Sequence, residues 1–323
     1  MRESNQTTNA ANTANAANTA DTANTANTAA TEFEALKQQW HQAVEAGRLH
    51  EAVEILNRAH DRVAELDEPR LLDLVICDRA AVAIELGQGQ REIPRLREIL
   101  LRNADAANCF VAAYNVARHY ELSRDYKKAL FYARIARDRA EVLGRRDWLR
   151  SSINLMGNTL LAESLVEQAT EQYERAMELT PDEPSVARGM VLDNLGYCRV
   201  LQGNHEEGYR LLYQSLRLFR RMGLEPHQIP PHLDLCFLHL ETGRLALALR
   251  HGNRALELAE RLGERESVKN ALYLLGEAEN LQGNVDAART HFRRLQQDFF
   301  PEAAYLPGFL LAVDVRKLVN LHA

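Results

Sequence analysis

His50 followed by Glu51, and His205 followed by Glu206 and Glu207, are the residues whose order comes nearest to known chemistry. On a helix, a His-Glu pair with a second histidine three positions after the glutamate puts two imidazoles on one face for a zinc ion. The glutamate is then left to activate the bound water. Neither run has that second histidine, because Glu54 and Tyr209 stand in its place. Both runs read as solvated helix-face residues. Cys77, Cys109, Cys198 and Cys236 lie too far apart for the close pairs of a zinc knuckle or a redox motif, and each reads as a buried, reduced thiol. No GxxxxGK[ST] or GxGxxG loop offers a phosphate cradle, and no GxSxG elbow offers a serine nucleophile. A triad assembles in space, so the sequence leaves that one possibility open. Arg134, Arg137 and Arg139, or Arg217, Arg220 and Arg221, could attract an anion, but the interspersed Asp and Glu point to an ordinary charged face. The expectation is a chain that is not an enzyme, with no catalytic residues, no metal and no cofactor.

The whole composition agrees with that direction. The 323 residues are 46% hydrophobic and carry a formal charge of −6. A sizeable core is available, and no basic surface draws the chain onto phosphate backbones or anionic lipid. Nucleic acid and membrane are not expected partners. The start, MRESNQTTNA, has no apolar signal region, and no stretch approaches the roughly 20 apolar residues of a membrane span, so the expected location is cytoplasmic.

Residues 1–31 form a tail that is almost wholly Asn, Thr and Ala from residue 5, with Asn9, Asn12, Asn15, Asn18, Asp21, Asn24 and Asn27 at every third position. A period of three fits neither helix nor strand, and without a large apolar side chain the segment cannot offset a backbone ordering cost of about 1–2 kcal/mol per residue. It is expected to be disordered. From Phe33 onward the pattern becomes helical and repeats. "LMGNTLLAESLVEQATEQYERAMELTPD" begins at Leu155, "LGYCRVLQGNHEEGYRLLYQSLRLF" at Leu195, "LCFLHLETGRLALALRHGNRALEL" at Leu235 and "LLGEAENLQGNVDAARTHFRRL" at Leu274. Gly157, Gly196, Cys236 and Gly276 follow one another at 39, 40 and 40 residues, and a second small residue comes 12 positions after each, at Ala169, Gly208, Ala248 and Ala288. Turn glycines Gly203, Gly243 and Gly283 lie midway, while Leu165 or its neighbours take that role in the first copy.

Each unit therefore reads as helix, turn, helix, with apolar residues at spacings of three and four and small residues where the two helices cross. One such pair buries about ten apolar side chains at ~2 kcal/mol each, which cannot match the ordering cost of some forty residues. Neighbours must stack.

These units resemble the tetratricopeptide repeat family. Ala169, Tyr173, Ala176 and Pro181 fit the family's second helix, and Leu272, Leu275, Gly276, Ala288 and Phe292 fit another copy, with Pro301 one position late. Ala117, Tyr120, Ala129, Ala133 and Ala136 carry a weaker copy. Gly47 and Ala52 carry the first, which has Trp40 where a small residue is expected. Pro94, in the opening of a second helix, marks the most degenerate copy. Seven units cover residues 32–302. The resemblance implies an all-α, right-handed superhelical solenoid of antiparallel helix pairs. Residues 303–323, containing "FLLAVDVRKLVNLHA", are expected to form a helix capping the open end.

In the resembled family the first helices line a concave wall, and positions 2, 5, 6, 9 and 12 of each unit face the ligand. Counted from Phe110, Arg150, Gly189, Ile229 and Lys269, that register presents Tyr114, Asn115, Arg118, Asn154, Asn158, Asp193, Asn194, Tyr197, Phe237, Asn270, Tyr273 and Glu277. Asparagine disfavours helix interiors, so its recurrence on one face calls for an explanation, and an amide can donate to and accept from a peptide backbone. Hydrated wall positions, or bonds within the solenoid, remain the alternative. Only Arg118 is cationic in that set, which disfavours an acidic-tail ligand. The expected function is a scaffold or adaptor that holds a protein partner or peptide in the concave groove. The alternative is a ligand- or peptide-sensing module of a bacterial signalling regulator acting through a separate chain. Neither reading fixes the oligomeric state.

Overall fold

The computed structural model describes residues 30–44, 46–64, 68–316 and 319–321. The expected disorder of the tail falls on residues 1–29, which lie outside the described residues. Residues 30 and 31 already belong to the first helix.

The described residues form two compact units divided after Leu143. In the first, helix α1 (residues 30–44) pairs with α2 (Leu49–Ala64), α3 (Pro69–Glu85) with α4 (Ile93–Arg102), and α5 (Ala106–Leu122) with α6 (Tyr126–Val142). Trp40, which departs from the small-residue pattern, is buried against Phe33 with ring centroids 5.8 Å apart. Pro94 is accommodated in the first turn of α4, where a missing N–H costs nothing, and the short 3-10 turn Gly89–Arg91 precedes it. Asp105 caps α5 by accepting from the Asn108 amide at 2.9 Å.

The second unit pairs α7 (Arg146–Ala162) with α8 (Val166–Glu178), α9 (Val186–Leu201) with α10 (His205–Arg221), α11 (Ile229–Glu241) with α12 (Leu245–Leu262), and α13 (Arg265–Leu281) with α14 (Val285–Phe299). The short helix α15 (Leu306–Ala312) packs on α13 and α14. No strand occurs among the described residues. The first helices also contact one another in sequence, α9 with α11 and α11 with α13, which gives this unit one face made of first helices.

The small residues do what their spacing predicts. A Cβ on Gly157 would stand 2.6 Å from the Tyr173 ring, and one on Gly196 would stand 2.9 Å from Leu212. The α11–α12 pair inverts the arrangement. There the first helix carries Cys236 and the second carries Gly252, whose Cβ would meet the Cys236 sulfur at 3.1 Å. At the turn between α7 and α8, Ser164, the neighbour of Leu165, takes the left-handed conformation (φ 61°) occupied by glycine in the later copies.

The expected C-terminal helix over residues 303–323 is not formed as such. It spans only Leu306–Ala312, and Val313 is extended (φ −126°, ψ 122°). The Asp314 carboxylate accepts from the Arg316 backbone N–H at 3.1 Å, a local bond that competes with helix formation.

Candidate partner-binding surface

In the first unit the register residues are engaged within the fold. Asn115 is buried on α5 and donates through Nδ2 to the Cys77 carbonyl of α3 at 2.8 Å, tying two first helices together. Tyr114 stacks on Phe110, centroids 5.8 Å apart, and Arg118 pairs with Glu85 at 2.7 Å. Arg118 therefore meets a carboxylate from its own unit.

In the second unit three amides meet. Asn194 of α9 donates through Nδ2 to the side-chain oxygens of both Asn154 and Asn158 on α7, each at 3.1 Å, and Asn158 also accepts from the Tyr173 hydroxyl at 2.9 Å. Tyr197 is fully buried and tilts against Phe237 across α9 and α11, centroids 5.8 Å apart. These two rings are packing contacts. Asp193 is buried, and its Oδ1 has no hydrogen-bond partner among the described residues. Burial, followed by the neighbouring Asp234 carboxyl, raises its pKa well above the usual carboxylate range, so it can serve as a hydrogen-bond donor. Met190, Asp193 and Asn194 of α9, with Ile229, Pro230 and Ser267 from α11 and α13, line a cleft of about 310 Å³ on the first-helix side.

The remaining register residues meet the chain's own C-terminal segment. Asn270 of α13 donates through Nδ2 to the Leu321 carbonyl at 2.9 Å, and the Leu321 main chain also interacts with the Tyr197 hydroxyl. Glu277 is buried, with Arg316 Nε 3.9 Å away, and a second Arg316 nitrogen lies 3.5 Å from Glu241 at the end of α11. Burial pushes the Glu277 carboxyl up to about 7 although Arg316 opposes the shift. Asn320 donates to the Leu161 carbonyl of α7 at 2.7 Å.

Those contacts also report the curvature of the unit. Asn320 touches α7 while its neighbour Leu321 touches α13. Adjacent Cα atoms are about 3.8 Å apart, whereas three steps between packed helices along a straight stack would span roughly 24–30 Å. The face made by α7, α9, α11 and α13 is therefore concave. Sequence reading missed Arg316, Asn320 and Leu321 because it took their segment as helix. The available signal was the run of Asp314, Arg316 and Asn320 interrupting the apolar pattern after Val313.

A family profile described as "Tetratricopeptide repeat" matches residues 231–296, the α11–α14 hairpins. The same architecture is present in the apo form of RapI, with a TM-score of 0.62 and 12% identity over 86% of this chain and 79% of that one. Residues 231–296 thus carry tetratricopeptide repeats, and the chain shares the helical solenoid fold. A tetratricopeptide repeat protein from Parabacteroides merdae aligns with a TM-score of 0.52 and 17% identity over 86% of this chain and 97% of its own. A Rap protein complexed with Competence and Sporulation Factor aligns with a TM-score of 0.56 and 12% identity over 90% of this chain and 97% of its own. At these identities the likenesses show that the repeat protein shares their helical fold. No curated protein sequence matches it. Among its described residues no helix is long and apolar enough to cross a membrane.

Proposed function

We propose that this repeat protein is a scaffold whose second unit holds an extended segment of a partner protein on the concave face of α7, α9, α11 and α13. The observation that carries the reading is the bond from the Asn270 amide to the Leu321 main-chain carbonyl at 2.9 Å. A wall asparagine already grips a peptide backbone there, as an extended ligand requires. The cleft beside Met190, Asn194 and Ser267 lies one helical turn from Tyr197 and Asn270, so a ligand has room to continue from that contact. Tyr197 and Phe237 contribute by holding the helices, not by touching the partner. Asn115 ties its own unit together in the same way.

The test replaces three residues that line the cleft, of which only Asn194 also bonds within the fold. Met190→Arg, Asn194→Ala and Ser267→Arg together are expected to abolish capture of partner protein from native lysate while the melting temperature changes by only a few degrees. Capture that survives all three rejects this face.

A peptide-sensing module is the second reading. It is favoured by the fold shared with the Rap protein complexed with Competence and Sporulation Factor and by the small size of the cleft. A rise in melting temperature on adding a short peptide, with no protein partner present, distinguishes it from the scaffold.

A further inference from the structure

Arg316, Asn320 and Leu321 touch the first helices of four successive hairpins. Asn320 meets α7, Leu321 meets α9 and α13, and Arg316 meets α11 and α13. This reach extends beyond the last hairpin, on which α15 packs. The C-terminal segment follows the face proposed above for a partner, and it meets Tyr197, Asn270 and Glu277, three of the twelve register residues. Val315 is buried, while Val319 lines an apolar cavity of about 360 Å³ with Tyr273 and Leu310.

The fit of this segment is incomplete. With it in place, the Tyr273 hydroxyl and Glu277 Oε1 are buried without a hydrogen-bond partner among the described residues, and Arg316 approaches Glu277 only to 3.9 Å. A buried polar atom left unmatched is a standing penalty that a better-shaped occupant removes. Ordering the segment also costs backbone entropy, which offsets part of what its contacts contribute. The face thus leaves hydrogen-bonding capacity unmatched at Tyr273 and Glu277, with Arg316 at the edge of ion-pair distance.

We propose that the C-terminal segment is a resident ligand of the concave face, displaced by a peptide that carries an arginine followed within about five residues by an apolar residue, an asparagine and a leucine. The inference rests on the scaffold reading and supplies its ligand chemistry and its regulation. The tethered copy holds the face until a partner segment places its arginine closer to Glu277 and Glu241. A partner must then outcompete an effective concentration on the order of millimolar.

Fluorescence polarisation of a labelled synthetic peptide, residues 313–323 of this chain, tests this with the full-length protein. Arg316→Glu with Asn320→Ala removes the tether's two side-chain grips and leaves the repeats intact. That double variant is expected to bind the probe at least 10-fold more tightly than the wild type, and hydrogen exchange of residues 314–321 should accelerate. Adding Asn270→Ala should cost at least 10-fold of the gained affinity, and a probe with alanine for arginine should lose as much. Equal affinity of wild type and double variant, or binding indifferent to Asn270, overturns the proposal. Should the three cleft substitutions abolish partner capture while the probe shows no tail dependence, the scaffold reading stands and only the resident-ligand inference falls. Capture indifferent to the cleft rejects the scaffold reading whatever the probe does.

Discussion

A Cβ on Gly276 would stand 2.3 Å from the ring of Phe292, which is fully buried on the facing helix. The two residues are the crossing point of α13 and α14. Gly276→Ala is therefore expected to lower stability by about 1–3 kcal/mol through overpacking, as read by chemical denaturation. Gly157→Ala, against Tyr173, should behave alike. An unchanged denaturation midpoint for both would mean that the helices separate freely at these points.

Asn115 offers a second test because its amide is buried on the Cys77 carbonyl. Asn115→Ala leaves that carbonyl without the side-chain donor, and a loss of about 1–3 kcal/mol is expected. Partner capture by the second unit should be unaffected once the protein is kept below its melting temperature. Loss of capture with full retention of stability would give Asn115 a role at a binding surface.

Three buried imidazoles give the protein an acid limit. His232 Nδ1 lies 2.9 Å from His251 Nδ1, and the His239 ring is 5.5 Å from that of His251. Arg220, Arg244, Arg250 and Arg254 face the cluster, and Tyr209 and Tyr213 pack on its rings. Burial first, then these charges and the neighbouring imidazoles, pushes His232 down to about 3, and His239 and His251 down to about 4. Unfolded histidines take up protons below about 6.5, while the folded ones stay neutral until pH 4 or lower. The contribution of the cluster to stability is thus full above about pH 6.5 and lost as pH falls toward 4. Thermal melts between pH 7.5 and 4.5 should show this fall, and His232→Leu with His251→Leu should flatten it. A melting temperature of the Glu277→Gln variant that is indifferent to pH in that range would contradict the neutral cluster.

Glu277 acts with the opposite sign. Its folded carboxyl holds its proton up to about pH 7, whereas the unfolded group releases it near 4.5, so this residue makes stability fall as pH rises from 4.5 to 7. Glu277→Gln keeps the shape and removes the titration. The variant should melt higher than the wild type at pH 7.5, and its loss on acidification should be steeper, because the histidines then act unopposed. Parallel melting curves for variant and wild type across that range would place Glu277 in water.

Most of the fold was legible in the residues themselves. Gly157, Gly196 and Gly276, with Tyr173 and Phe292, announced the helix crossings because a close approach demands small residues at fixed spacing. Even the exception at Cys236 carries its compensation in Gly252, 16 positions later. Trp40 and Pro94 looked like defects. Both are tolerated, one by burial against Phe33 and the other by a first helical turn that needs no N–H.

The surface was legible only as a register. Sequence alone determined that α7, α9, α11 and α13 each present asparagines, acids or aromatics on a common side, because helical periodicity assigns faces. It did not determine which of these residues are spoken for. Asn115 is taken up by a carbonyl 38 positions away, Asn194 by two other asparagines, and Tyr197 by Phe237. Such contacts depend on where separate helices stand after stacking. The C-terminal segment shows the same division most plainly. Its apolar residues were readable as a helix, but Val313 and Asp314 break that helix, and only the curvature of the stacked repeats brings α7 and α13 close enough for two adjacent residues to bridge them.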